Sequence, residues 1–584
     1  MDATVEAEPR LPGSWWSAKA PVRDDGRAFV LGGSGGLRRR ADGALGTWAG
    51  IAAVLVLVAI PLRGLYKFTG GTMEEGFMLY FPELLRRGSV PNVDFLHLYG
   101  PGSLQALMVW YELLGNTLAA ERTFGLLQHL GIILGLFALA RPWGRLAATI
   151  VAAFAVFYVM TPIALTAMAW NGAVALTLWS GVAVLRGLHL EDPRRQRRCW
   201  LVGGVLAGLA LTFRPDLIVA VGLFLGWLLL THPAIRRPVI IGGLIGLIPM
   251  WIHLVMAGPG AAIRGMVLDP VFELRAGREL PRPPSWSRLD GALQAVAEEI
   301  PPWWHLPHLQ ASHALFLWFC AMVLGALALL AFAIWQRRRP DGITGRSTAL
   351  LAVALVSAGI LPQALQRPDS AHLSWVTCIS WPFAVVAVME VVRRWRPSID
   401  RKAALAAGTA VAFAITFIFT SLFTFRYYLL HTRVGLGQVP SAFPVERDGR
   451  RFYLGDYGAY LAVSAAVRDL SDQAEPGDRL LVGPSDLRRT WYSDAFIYWL
   501  FPELDPATYF IEMDPGLANE EDSGLAEDVE SADWVILTGL WDGWLEPNTS
   551  GEYGSDAPNQ VLRDHFCEVG SYEDGLAVLY RRCR

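Results

Sequence analysis

Apolar runs of spanning length recur along most of this 584-residue chain, and they constrain its fold more than any other feature. They fall near 44–63, 121–140, 145–162, 165–186, 199–213, 216–232, 237–257, 313–335, 347–363, 372–392 and 402–425. About 20 apolar residues in a helix cover the hydrocarbon core of a bilayer, where every backbone polar group must be bonded within the segment. The pattern therefore predicts a polytopic α-helical membrane protein of about 11 transmembrane helices. The runs at 199–213 and 216–232 are short and meet at Arg214-Pro215-Asp216, so they read either as two spans or as one broken hairpin. With 53% hydrophobic residues, the chain is too apolar for an ordinary soluble multidomain protein.

Charge sets the orientation. With the N-terminus placed in the cytoplasm and the ends alternating, the inside loops receive Arg38, Arg39 and Arg40, Arg141 with Arg145, and Arg194, Arg195, Arg197 and Arg198. They also receive Arg236 and Arg237, Arg337 to Arg339, and the group Arg393, Arg394, Arg396, Arg401 and Lys402. Every predicted inside loop is basic, as the positive-inside rule requires. The net charge of -3 hides this segregation, so the basic residues give no reason to expect a nucleic-acid partner.

Residues 1–43 are polar and read as a disordered cytoplasmic tail. Gly32 to Gly36 lacks the preceding strand and the following Gly-Lys-Ser/Thr of a phosphate loop. Three larger segments fall outside: 64–120, 258–312 and everything after about residue 426. The last reads as an extracytoplasmic α/β domain over 426–584. Its pattern predicts a helix near 457–473, strands at Arg479–Val482, Thr508–Glu512 and Trp534–Leu537, and a hairpin near 566–581. Cys567 and Cys583 lie in it, either as a disulfide or as two free thiols. Cys199, Cys320 and Cys378 belong to apolar spans and act as small hydrophobes.

Candidate chemistry gathers on the outer side. Glu74-Glu75-Gly76 follows the first span at once, so both carboxylates sit near the membrane–water boundary. Neighbours on a helix project about 100° apart, so one can face a cavity while the other pairs with a base. A solvated acidic loop is the competing reading. A second group, Gln363 to His372, carries Arg367, Asp369 and His372 between two apolar helices. Arginine suits a phosphate because it is permanently charged and binds bidentately; an Arg–Asp pair closing the loop explains the same residues. Arg214-Pro215-Asp216 is a third point. His97, Gln128, His129 and Asn171 near the outer ends read more readily as helix-to-helix hydrogen bonds than as catalytic groups. His305 and His308 have a metal-compatible spacing, yet a Trp- and Pro-rich interfacial loop explains them more simply. The sequence points to no cofactor and no metal.

These residues resemble the GT-C superfamily, membrane glycosyltransferases that use polyprenyl-phosphate sugars. The likeness rests on Glu74-Glu75-Gly76 straight after the first span, on Pro91, Asp94 and Phe95, on Tyr99-Gly100-Pro101, and on the multi-span body with an outer C-terminal domain. It is nearest to the branch of protein O-mannosyltransferases and the lipid A aminoarabinose transferase, and covers roughly 44–425. In that family the first outer loop supplies the base toward the acceptor hydroxyl, usually the aspartate of an Asp-Glu pair. The matching positions are Glu74 and Glu75, with glutamate in place of aspartate at the first. The resemblance further implies basic contacts to the donor phosphate, for which Arg367 and Arg214 are the local candidates. Asp94, His97, Tyr99, Asp369 and His372 are the substrate-binding candidates around them.

The resulting expectation is an inverting glycosyltransferase that passes a sugar from a polyprenyl-phosphate donor in the membrane lipid to an extracytoplasmic acceptor. A transporter or lipid flippase would show internal repeats and mid-membrane charge, neither of which stands out. A non-catalytic scaffold on the same fold is the third reading.

Overall fold

The computed structural model describes residues 37–160, 164–280, 311–339, 342–420, 423–543 and 546–583. Helices dominate the first three quarters. Among the described residues, seven are long and apolar enough to cross a membrane: Leu45–Leu65, Leu118–Trp143, Ala169–Leu188, Leu315–Arg337, Gly345–Gln366, Ser370–Trp395 and Arg401–Phe419. The chain is a multi-pass membrane protein. Its bundle displays large apolar side chains on its outside, among them Leu55, Val56, Ile60, Leu223 and Ile252, where lipid takes the place of a protein neighbour.

The remaining apolar runs are helical but not straight spans. Pro215–Thr231 and Pro233–Gly246 meet at 115°, and Ile248–Ala257 and Pro259–Glu273 at 117°, which brings the number of spans to nine if each bent pair is one. The run at 237–257 is thus divided at Leu247 between two helices. Pro233, Pro249 and Pro259 stand at or beside the breaks, where a missing N–H and a clash with the preceding turn end a helix. The run at 145–162 forms a 15-residue helix, Arg145–Val159. The run at 199–213 belongs to Pro193–Phe213, whose first turns carry four arginines. Apolar length alone records neither a bend nor a polar start.

Helix Pro193–Phe213 and helix Arg236–Gly246 touch backbone to backbone through Gly204, Gly208, Gly242 and Gly246. A Cβ on Gly204 would lie 2.2 Å from the Val239 carbonyl oxygen, and one on Gly208 2.3 Å from that of Gly243. Such small-residue stripes replace the hydrophobic drive that helices lack in lipid. The arginines of the loops gather at one end of the bundle. There Arg401 donates to the Trp143 carbonyl and Arg346 to that of Pro142 (3.0 Å).

We label the elements nearest the other end α1 (Leu37–Leu65), α2 (Glu74–Arg86), α3 (Pro101–Leu114) and α4 (Leu118–Ala140). Here the C-terminal region sits. Helix Phe423–Gly435 lies along α1, with the Tyr428 hydroxyl on the Leu57 carbonyl at 2.6 Å. A hairpin follows, β1 (Phe443–Arg447) and β2 (Arg450–Leu454). A five-stranded sheet then forms from β3 (Arg479–Pro484), β4 (Asp505–Pro506), β5 (Trp534–Thr538), β6 (Phe566–Tyr572) and β7 (Ala577–Arg582), in the order β4-β3-β5-β7-β6. The β3–β4 and β3–β5 pairs are parallel and the others antiparallel. Every residue of β5 is buried, as expected of a central strand covered on both faces. Helix Tyr457–Gln473 presents Ala462, Val463, Ala466, Val467 and Leu470 inward from an Asp456 cap. Cys567 and Cys583 are joined as a disulfide.

The strand expected at Thr508–Glu512 does not form. The Thr508 hydroxyl bonds Asp528 at 2.7 Å and accepts from the Phe510 N–H at 3.0 Å, while the Tyr509 carbonyl accepts from Leu96 N–H at 2.9 Å. These bonds turn the segment toward the 90–99 loop and away from the sheet. One apolar cluster joins α2 and α3 (Phe77, Tyr80, Phe81, Leu104) to the C-terminal region (Val482, Phe496, Trp499, Trp534). The first large inter-helix segment and the C-terminal region therefore share a core.

Candidate active site

The glutamate pair stands in the first turn of α2, where the positive end of the helix dipole favours carboxylates. The following Gly76 fixes how α2 meets the C-terminal region: a Cβ there would lie 2.3 Å from the Phe496 nitrogen. The two carboxylates then part company. Glu75 turns toward α4, and both its oxygens accept from Arg122, Nε and Nη2 each at 2.7 Å. Neither side chain has more than 1% exposure. Arg122 also donates to the Leu65 and Phe68 carbonyls at 3.0 and 3.2 Å, tying α4 to the end of α1. The adjacent Glu121 accepts from the Ala167 N–H at 2.6 Å. Glu75 is thus committed to a buried ion pair.

Glu74 faces the other way, toward Arg278 and Arg367. Burial pushes its carboxyl above the usual range, and the pull of the two guanidinium groups only partly offsets this. Its carboxylate accepts from its own backbone N–H, and among the described residues it has no other hydrogen bond and no ion pair. Of the expected pair, Glu74 is therefore the carboxylate not held in an ion pair among the described residues.

Arg367 is gripped from several sides. Its Nε donates to Asp369 at 2.8 Å, its Nη1 to the Arg278 carbonyl at 2.8 Å and to Glu546 at 3.0 Å, and its Nη2 to the Tyr492 hydroxyl at 3.2 Å and to Glu546. Asp369 caps helix Ser370–Trp395, accepting from the His372 N–H at 2.8 Å, and meets the His372 Nδ1 at 2.7 Å. Arg278 lies 4.6 Å over the Tyr492 ring, donates to the Trp491 carbonyl at 2.7 Å and pairs with Asp514 at 3.5 Å. Glu512 and Asp514 are buried beside it, and burial together with their mutual repulsion holds the Glu512 carboxyl well above its usual range. Burial likewise pushes the Tyr492 phenol up to about 12.

Arg214 borders this cluster. It forms a two-bond pair with Asp216 at 2.9 and 2.8 Å, reaches Gln363 at 3.1 Å and stacks on Tyr99 at 4.6 Å. Tyr99 senses Arg214, Glu512, Glu74 and Arg278, and burial raises its phenol to about 12. His97 is fully buried, edge-on to Phe81 and Tyr99, and burial lowers its pKa to about 3; it is a neutral wall of the cluster. Asp94 is placed elsewhere: it is exposed and closes a turn on the Val90 N–H at 2.6 Å. Asn171 and His129 form the expected helix-to-helix bond at 2.9 Å.

The structure thus brings together Glu74, Tyr99, Arg367, Asp369 and His372, sets Arg214 at the edge, and leaves Asp94 and Glu75 in other roles. Sequence reasoning missed Arg278, Arg122 and Glu546. Arg122 carried a legible signal, since an arginine beside the start of a spanning run needs a partner. Arg278 and Glu546 had none, lying in segments without a motif. Among the described residues no group of three His, Cys, Asp or Glu side chains forms a metal site. His305 and His308 lie outside the described residues.

No protein-family model and no curated protein matches the chain. Solved structures similar to it include ArnT from Cupriavidus metallidurans bound to undecaprenyl phosphate, at 12% identity and TM-score 0.47 over 91% of this chain and 97% of that one. Another is the oligosaccharyltransferase AglB from Archaeoglobus fulgidus in complex with an inhibitory peptide and a dolichol-phosphate, at 11% identity and TM-score 0.43 over 89% and 73%.

Proposed function

We propose that this chain is an inverting glycosyltransferase that takes a sugar from a polyprenyl-phosphate donor and passes it to an extracytoplasmic acceptor, a cell-envelope glycan, lipid or protein. One observation carries the reading: Glu74 is a half-buried carboxylate without a side-chain partner among the described residues, facing two half-buried arginines at the end of a membrane bundle. A lipid-linked donor keeps its tail in the bilayer and presents its phosphate and sugar at this level.

In the proposed step the acceptor oxygen attacks the anomeric carbon as Glu74 removes its proton. The bond from that carbon to the phosphate oxygen breaks, and polyprenyl phosphate departs with the electron pair. Arg367 and Arg278 stabilise the negative charge that accumulates on it. A Glu74 pKa raised above the ordinary carboxylate value suits a base that must accept a proton near neutral pH.

The test is transfer of labelled sugar from a polyprenyl-phosphate donor in membranes. Glu74→Gln should lower kcat by about 10²–10⁴-fold, the usual worth of a general base, and Arg367→Ala should raise KM for the donor and lower kcat. Turnover at the wild-type rate in both variants sinks the reading.

A further inference from the structure

Resting on the donor-phosphate reading of Arg367, we propose that Glu546 is an internal stand-in for the lipid phosphate, a latch that must leave Arg367 before the donor's headgroup can take its place. A guanidinium has five N–H donors. All five of Arg367 are spoken for: one by Asp369, one by the Arg278 carbonyl, one by the Tyr492 hydroxyl and two by the two oxygens of Glu546. A phosphate contact at this arginine therefore requires an exchange of partners.

Glu546 is the partner suited to exchange. Its carboxylate meets Arg367 with two parallel bonds, the same fork geometry by which arginine binds a phosphate. The Tyr492 hydroxyl donates to it at 3.0 Å and the Asn548 amide at 2.8 Å, so further donors already surround the position of an anion. Asp369, the other anionic partner, is bound into the start of a spanning helix as its cap and cannot leave without exposing that helix end. Glu546 instead comes from the connection between β5 and helix Ala557–His565, outside any regular element. Electrostatics requires the exchange as well. A phosphate added beside Glu546, with Asp369 retained, would place three anions directly against the Arg367 guanidinium.

A route lies next to the latch. A groove of about 540 Å³ is bounded by Pro547 and Asn548 on the latch side and by Leu365 and Gln366 on the bundle side. Its lining is mixed, with Leu280, Leu365 and Pro547 beside Arg275, Glu279 and Gln366, and it opens outward at Leu365, which is 42% exposed.

The experiment is binding of undecaprenyl phosphate, and separately of inorganic phosphate, to the full-length protein in detergent. Glu546→Gln removes the competing charge and should tighten undecaprenyl phosphate on the order of tenfold, ~1.4 kcal/mol. Asn548→Ala, which loosens the carboxylate's anchor, should act in the same direction by a smaller factor and carries the test if Glu546→Gln does not fold. Arg367→Ala should weaken binding. Unchanged or weaker lipid binding in the Glu546 and Asn548 variants, with Arg367→Ala impaired, overturns the latch and leaves the phosphate reading standing. Wild-type lipid affinity in Arg367→Ala overturns both. A gain for inorganic phosphate alone assigns the anion position to a free phosphate and overturns the lipid assignment.

Discussion

At the scale of single residues, two neighbouring glutamates with the same chemistry end in opposite circumstances. Glu75 and Arg122 form a pair with at most 1% exposure, and removing one partner leaves an unpaired charge. Arg122→Ala should therefore destabilise the protein by about 3–5 kcal/mol, measured by thermal unfolding in detergent. Arg122 and Glu75 both replaced by leucine should lose much less; equal losses would show that the ion pair is not what holds α2 to α4. Glu74 gives a different signature. Its raised pKa means the carboxylate form, and hence the base, is lost as pH falls through a value above the ordinary one. The acid limb of kcat/KM for transfer should sit above the 4.5 of a free glutamate, and Glu74→Gln should abolish it. An acid limb at 4.5 or below removes Glu74 from the role of base. Adjacent positions on a helix showed that the two carboxylates diverge, but which one met a cation depended on Arg122, and that lay unnoticed at the head of an apolar run.

At the scale of elements, the sequence was most legible where periodicity and length act alone. Helix Tyr457–Gln473 and strands β3 and β5 lie where the pattern placed them, because a 3.6-residue apolar face and a short continuous apolar run each state their own burial. It was least legible where direction matters. Nothing in hydropathy distinguishes a straight span from Pro215–Thr231 and Pro233–Gly246 bent at 115°, and Thr508–Glu512 has strand-like residues whose hydrogen bonds are taken by Asp528 and the 90–99 loop. The glycine stripe gives an element-scale test. Gly204→Ala places a Cβ 2.2 Å from a backbone carbonyl and should cost about 1–3 kcal/mol by overpacking. Gly222→Ala, on helix Ile218–Thr231 with nothing within 4 Å of its Cβ, should be neutral or stabilise by up to ~1 kcal/mol. Similar melting temperatures for the two variants would mean that the backbone contact contributes nothing.

At the scale of the whole molecule, charge is sorted along the bundle axis. Arg346 and Arg401 meet backbone carbonyls at one end, and the Glu74, Arg278 and Arg367 cluster lies at the other beneath the C-terminal sheet. We propose that the sheet end is extracytoplasmic, because arginine-rich loops stay in the cytoplasm and because a disulfide such as Cys567–Cys583 persists in an oxidising compartment. The two arguments are independent, since one uses insertion energetics and the other redox chemistry. They make a single joint prediction for a chain in which Cys199 and Cys320 are replaced by serine. Glu520→Cys, exposed on the C-terminal region, should react in intact cells with a thiol reagent that does not cross membranes. Arg195→Cys, where the native side chain is 75% exposed at the arginine-rich end, should react only after the cells are permeabilised. The reverse pattern would put the Glu74 cluster in the cytoplasm, where a soluble nucleotide-sugar could reach it, and the case for a lipid-linked donor would lose its topological basis.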